Sequence, residues 1–319
     1  PKPQNPIQIK FILKFYFDYR RYPFLILKYF LYLKLKHSQM LSNTFKRLAF
    51  KNIQGKRAFS TAGRNWIDQD RGLSYETRNL EAPDARDRSF LSQGDRVISP
   101  WHDIALRPEG AELDVFNAVI EITRNTTAKM EVETDLELNP IVQDQKKNKE
   151  TGEKYLRHYG LNPGFNYGMI PQTWENAQHQ DKETGLYGDN DPIDIVDLTN
   201  RDMGFFELPR LKVLGALCMI DEGELDWKII ALEEAYAKKF GIRDLETLNQ
   251  HNPGAVADVT HWFRIYKTYD GKPENSFGYN DQCLGVERTI EIIEENHQAW
   301  KDLCSGKVEN KDGLWIPQK

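Results

Sequence analysis

Two stretches crowd carboxylates against apolar runs, and that crowding limits what the chain can fold into. GDNDPIDIVD (188–197) carries Asp189, Asp191, Asp194 and Asp197 around a proline and alternating isoleucines. DEGELDWK (221–228) follows the apolar run LKVLGALCM and offers Asp221, Glu222, Glu224 and Asp226 before Lys228. Apolar side chains favour the interior, whereas neighbouring carboxylates repel one another and lose hydration when buried. Three carboxylates held together need a cation to neutralise them. In an extended segment alternate residues share a face, which predicts Asp189 and Asp191 pointing one way, with Pro192 bending the chain to bring Asp194 round. Oxygen-only donors of this kind select Mg²⁺, Mn²⁺ or Ca²⁺. Alone, the first stretch reads equally as a metal site or a solvated acidic turn. Two acidic clusters, each beside an apolar strand, point to a multi-metal site and hence to phosphoryl chemistry, where one ion activates water and another holds the electrophile.

Such a substrate needs cations from the protein as well. Lys129, Lys228 and Lys267 are available, with Arg157 as a further candidate, and Tyr167 and Tyr266 can donate hydroxyl hydrogen bonds. A lone lysine is usually just solvated; Lys129 is favoured because Glu121 and Glu131 frame it on neighbouring strand candidates. The chain has no Walker A loop, so phosphate binding falls to metal ions and side chains.

Strand candidates are short and separated by Gly, Pro, Asp and Asn: 115–122, 129–132, 193–196, 211–219 and 227–231. That pattern predicts a small barrel or twisted sheet. Helical spacing of apolar residues over 255–266 and 286–303 predicts two helices packed on it. Residues 140–163 and 174–187 read as polar loops. No linker divides the body, which predicts a single compact catalytic domain over 60–319.

Charge is uneven. Residues 1–59 hold thirteen Lys/Arg and one acid, a sum of +12; the remaining residues hold 30 bases and 47 acids, a sum of −17. An acidic body argues against nucleic-acid binding, which needs a basic groove. Residues 1–39 are rich in Phe, Tyr, Leu, Ile and Lys, yet Tyr22–Leu33 is too short to span a bilayer. This stretch is expected to be untranslated or non-structural. Residues 40–59 are basic and acid-free, the composition of a mitochondrial transit peptide, which predicts the mitochondrial matrix. Three cysteines without a CxxC fit a reducing compartment.

The residues also resemble a known family. GDNDPIDIVD matches the D-x-D-P-x-D signature of the family I soluble inorganic pyrophosphatases. The likeness continues through FNAVIEITRNTTAKMEV (116–132), LNPIVQD (138–144), NYGMIPQTWE (166–175), ALCMIDEGELDWKIIA (216–231) and WFRIYKTYDGKPEN (262–275). With the presequence, the chain is similar to fungal mitochondrial members. The resemblance implies a mainly β fold, an OB-like closed β-barrel core with flanking helices. It implies hydrolysis of inorganic pyrophosphate with several Mg²⁺ ions, Mn²⁺ substituting and Ca²⁺ inhibiting, in a homodimer without a transmembrane segment. Glu121, Glu131, Asp189, Asp191, Asp194, Asp221 and Asp226 match the metal-site acids, with Asp191 matching the general base. Lys129, Tyr167, Lys228, Tyr266 and Lys267 match phosphate-facing positions. Trp101, Trp174 and Trp300 are weak candidates for interface anchors.

The segment 147–168 departs from the family, whose Lys-Gly-Lys-x-Arg run is replaced by ETGEKYLR. Lys154 or Arg157 inherits the phosphate-binding arginine role, depending on the gap. Direct counting puts Pro163 where the family has a tyrosine, and Tyr159 fills that role if the loop is shortened. The alternatives this leaves are a hydrolase of another diphosphate compound or a non-catalytic barrel binding metal and phosphate.

Overall fold

A computed structural model describes residues 65–68, 71–78, 86–148 and 150–317, all within one unit that begins at Ala62. The stretches 1–39 and 40–59 lie outside the described residues. In chain order the strands are β1 (Asn65–Asp68), β2 (Leu73–Arg78), β3 (Arg88–Gln93), β4 (Arg96–Ile98), β5 (Val115–Asn117), β6 (Val119–Ile122), β7 (Met130–Val132), β8 (Ile141–Gln143), β9 (Gln145–Lys147), β10 (Lys154–Leu156), β11 (Asn166–Met169), β12 (Asp194–Asp197), β13 (Arg210–Asp221), β14 (Glu224–Glu233) and β15 (Ser276–Phe277). The helices are α1 (Glu234–Phe240), α2 (Leu245–His251), α3 (Ala255–Ile265) and α4 (Val286–Cys304).

The longest strands, β13 and β14, are the two apolar runs beside the second acidic cluster. They form an antiparallel hairpin whose two turn residues, Glu222 and Gly223, both have positive φ (53° and 99°). That is what a right-twisted two-residue hairpin requires, and it places Asp221 and Glu224 opposite each other at the tip. Side-chain alternation then divides β14. Leu225, Trp227, Ile229 and Ala231 pack on one face with Ile292 and Ile293 of α4. Ile230 and Leu232 pack on the other with Val259, Trp262 and Phe263 of α3. Asp226 and Lys228 fall on this second face. The parallel register of β12 sets Asp194 beside Lys228 and so adds a third functional side chain to it.

The main sheet runs β15-β13-β14-β12-β11-β6, with β5 also paired to β13. A second sheet runs β1-β2-β3-β8-β7 with β4 on β3, and β9 pairs with β10. The predicted single strand 115–122 is in fact two strands, β5 on β13 and β6 on β11, interrupted at Ala118. One segment thus serves both margins of a curled, OB-like half-barrel. The expected closed barrel is corrected on this point: β5 and β6 take different strand partners and the barrel is not fully closed.

The predicted loop 140–163 contains β8, β9 and β10. Its strands are three residues each, too short for alternation to show. Helices α1 and α2 were not expected either; each has seven residues and little apolar periodicity. Among the described residues no helix is long and apolar enough to cross a membrane. Trp101 and Trp174 are fully buried within the chain, which removes them as interface anchors. Trp300 donates its indole N–H to His102 Nδ1 (2.9 Å), and the His102 Nε2–H meets the Trp315 carbonyl (3.0 Å).

Candidate active site

The seven acids matched to the metal site, the three lysines, Arg157, Tyr167 and Tyr266 all line one cavity of about 240 Å³ at the ends of these strands. The acids reach it by three local devices. Alternation on β12 and β14 delivers Asp194 and Asp226. The hairpin tip delivers Asp221. The third device is a turn and not the extended segment expected: Asn190 takes φ 79°, and the Asp191 N–H donates to Asp189 Oδ1 (3.1 Å). Trp174 holds the turn through its indole N–H on Asn190 Oδ1 (3.0 Å). The fourth aspartate, Asp197, points away. It is fully buried and accepts from Asn166 Nδ2 (2.8 Å) and Thr199 Oγ1 (2.6 Å).

Cations divide the acids among themselves. Lys228 is 2% exposed; its ammonium contacts Asp194 and Asp226 and donates to the Tyr167 hydroxyl (3.1 Å), which itself donates to Asp194. Lys267 contacts Asp221, with the Tyr266 hydroxyl 3.4 Å from the same carboxylate. Lys129 contacts Glu131 and lies 3.2 Å from Asp144. Arg157 donates to Asp144 (2.9 Å). Glu121, buried in β6, accepts the Val132 N–H (2.8 Å) and so ties β7 to the main sheet.

The altered segment resolves locally. Lys154 is exposed on the β9–β10 hairpin and away from the cavity, whereas Arg157 lines it. Tyr159 also lines it, its ring 5.2 Å from Trp262 and 5.8 Å from Tyr266. Pro163 instead uses its carbonyl to accept the Asn125 N–H (3.1 Å).

Electrostatics follow from loss of water and from like charge. Burial first, and then Asp194, push the Glu121 carboxyl well above the usual range. Burial also raises Asp189, helped by Asp191, and raises Asp226 despite the ammonium of Lys228. Asp191 is reached by solvent from the mouth. The protein around it disfavours the charge all the same, and with Glu131 and Asp194 nearby its pKa is pushed up to about 7. Burial opposes the charge on Lys228, but Asp194 and Asp226 outweigh it and keep the ammonium firmly protonated. Burial raises the Tyr167 and Tyr266 hydroxyls, so both remain donors.

Two participants were missed from sequence. Asp144 sits in the stretch read as loop. Glu175 follows Trp174 with no other acid nearby in sequence, so no local cluster marks it. Oxygens of Glu175, Asp189 and Asp226 lie within 4.8 Å of one another. Glu175 Oε1 accepts the Trp227 N–H (2.9 Å), while Oε2 is buried without a hydrogen-bond partner. An oxygen-only donor set with an unpaired carboxylate oxygen fits hard divalent cations.

Carboxylates deep in a cleft with lysine, arginine and tyrosine around them characterise the metal-dependent hydrolases of phosphate anhydrides. Residues 118–301 match the family model described as inorganic pyrophosphatase, and the chain belongs to that family. It is 42% identical over 227 residues to the soluble inorganic pyrophosphatase 1, chloroplastic, of Chlamydomonas reinhardtii, covering 71% of this chain and 78% of that one. It is 38% identical over 245 residues to the inorganic pyrophosphatase of Yarrowia lipolytica, covering 76% and 84%. The solved inorganic pyrophosphatase of Schistosoma japonicum superposes with a TM-score of 0.69 at 36% identity, covering 77% of this chain and 86% of that one.

Proposed function

We propose that the cavity hydrolyses inorganic pyrophosphate to two orthophosphates with Mg²⁺. The observation that carries this reading is the convergence of the aspartates and their cationic partners on one small cavity in a member of this family. At about 240 Å³ it is below the roughly 300–1,000 Å³ of sites for drug-sized ligands, which favours an inorganic anion over a nucleoside polyphosphate.

Asp189, Asp191, Asp194, Asp221, Asp226, Glu121 and Glu131 would hold the ions. Bound divalent cations supply charge neutralisation on phosphate oxygens and lower the pKa of a water. In hydrolysis a water oxygen would bond to one phosphorus as the bridging P–O bond breaks, the leaving phosphate keeping the bridging oxygen, and Asp191 would take the proton. Lys129, Lys228, Lys267 and Arg157 neutralise the two phosphates, and Tyr167 and Tyr266 donate hydrogen bonds to oxygens that gain charge in the transition state. Mn²⁺ replaces Mg²⁺, and Ca²⁺, with longer and looser coordination, inhibits. A homodimer in the mitochondrial matrix completes the reading, supported by the family resemblance and by the basic, acid-free stretch 40–59.

The test is phosphate release from pyrophosphate by the full chain with Mg²⁺, with Ca²⁺ and with EDTA, beside Asp191→Ala. Fast release with Mg²⁺ alone, lost in the variant, is expected. A folded protein that binds Mg²⁺ and releases no phosphate refutes the reading. A panel of nucleoside and organic diphosphates under Mg²⁺ and Mn²⁺ tests the substrate class.

A further inference from the structure

Arg157 is fixed at its base by backbone and at its head by charge. Its N–H donates to the Asp144 carbonyl (2.7 Å), and its carbonyl accepts the Lys129 N–H (3.1 Å). The main chain there is therefore anchored whatever the side chain does. The guanidinium lies between two carboxylates. One terminal nitrogen donates to Asp144 (2.9 Å), and the other is 3.6 Å from Asp270, an ion pair too long for a hydrogen bond. Asp144 is shared with Lys129, and Asp270 is shared with Lys146 of β9. Charges thus alternate from Lys129 through Asp144, Arg157 and Asp270 to Lys146. Asp270 stands outside the cavity lining. It ends the 3₁₀ turn Thr268–Asp270, and its N–H donates to the Lys267 carbonyl (2.9 Å). A second phosphate-facing residue therefore sets where this carboxylate sits. Among the described residues β9 and β10 pair only with each other, and a lone two-stranded hairpin is marginal in water. Lys146 ties this hairpin to the turn through Asp270, and Gly160 packs so tightly on Tyr269 that a Cβ there would collide with it.

We propose that Asp270 is a positioning residue: it sets the tilt of the Arg157 guanidinium toward the phosphate and docks the β9–β10 hairpin on the turn that follows Lys267. The proposal deepens the hydrolase reading and rests on it for the identity of the anion. A guanidinium is a rigid planar fork, and it meets two phosphate oxygens at once only in one orientation. Asp144 alone leaves the plane free to pivot about a single contact. A second acid on the other terminal nitrogen removes that freedom before substrate arrives.

The test is a double-mutant cycle on the full chain, with Asp270→Asn made alone and in the Arg157→Ala background. Asp270→Asn keeps the size and removes the charge. Alone it is expected to lower kcat/KM for pyrophosphate by about 3–10-fold, the scale of one misaligned hydrogen bond. In the Arg157→Ala background it should change kcat/KM by less than about twofold, because the group it steers is gone. A residue that merely supported the fold would cost the same in both backgrounds. Asp270→Glu retains the charge and should recover most of the loss. An unchanged kcat/KM in Asp270→Asn, an equal loss in both backgrounds, or a glutamate variant as impaired as the asparagine one overturns the proposal. If Asp270→Asn does not fold, Asp270→Ser takes its place in the same cycle. If the unsubstituted protein releases no phosphate from pyrophosphate, the hydrolase reading is struck. The cycle is then read in the Kd for inorganic phosphate with Mg²⁺, by equilibrium dialysis, which needs no turnover and judges Asp270 by the same pattern.

Discussion

Replacing Lys228 by methionine isolates the charge that holds the cavity together. Methionine keeps the unbranched stem, so packing beside Phe263 changes little. The ammonium it removes is 2% exposed and lies between Asp194 and Asp226, whose side chains are 21% and 8% exposed. Two largely buried carboxylates would then share a site where, among the described residues, the Tyr167 hydroxyl is the donor left on Asp194. Removing one partner of a buried ion pair costs about 3–5 kcal/mol, because the remaining charge is uncompensated. For a domain of this size each kcal/mol shifts Tm by about 2–4 °C, so Lys228→Met should melt roughly 6–20 °C lower in EDTA at pH 8. The deficit should shrink with saturating Mg²⁺, whose charge would stand in for the lost ammonium. Thermal unfolding followed by circular dichroism provides the measurement. A loss below about 1 kcal/mol at pH 8, the value of an exposed pair, would refute the argument that this ammonium balances buried charge.

Other consequences follow from the same geometry. Glu121, Asp189, Asp191 and Asp226 hold protons to higher pH in the folded protein than in an unfolded chain, Asp191 to about 7. The folded state therefore binds more protons between the ordinary carboxylate range and about pH 7, so stability in EDTA should fall as pH rises through that window. Urea midpoints at several pH values check this, and a rising midpoint contradicts it. Arg157→Ala should lower kcat/KM by about tenfold or more, the equivalent of a charge-assisted hydrogen bond, whereas Lys154→Ala on the exposed hairpin should leave it within about twofold. Steady-state kinetics on the two variants would separate them, and equal effects would sink the assignment. Gly168→Ala puts a Cβ 1.9 Å from the Val119 carbonyl oxygen, across the β11–β6 pairing. It should destabilise by about 3 kcal/mol or more, since backbone rather than a side chain must move.

What the sequence made legible was set by periodicity and by clustering. The apolar runs of β13 and β14 and the helical stripes of α3 and α4 are long enough to declare themselves, and α3 and α4 fall within a residue of their expected ends. Strands of three residues such as β9 and β10 are too short to carry a period, so 140–163 passed for loop. The break at Ala118 was invisible because both halves are apolar; only the partners differ. Acids that stand in groups were found, while Glu175 and Asp144 were not, being brought in by tertiary pairing. The turn at Asn190 shows a subtler limit. Grouping Asp189 with Asp191 was correct in outcome, but an Asx-type turn, and not strand alternation, aims them.

The segment from Val115 to Ile122 reaches Arg210 through Asn117 and Gly168 through Ile120. Both pairings join parts of the chain far apart in sequence, and such contacts form slowly because the intervening loops must first be ordered. Glu121 enters the cavity only when this segment is seated. The cations therefore meet a complete set of ligands only once these long-range pairings have formed. Added Mg²⁺ should leave the refolding rate nearly unchanged and slow unfolding, so that the ion acts as a latch on a finished structure and not as a nucleus for it.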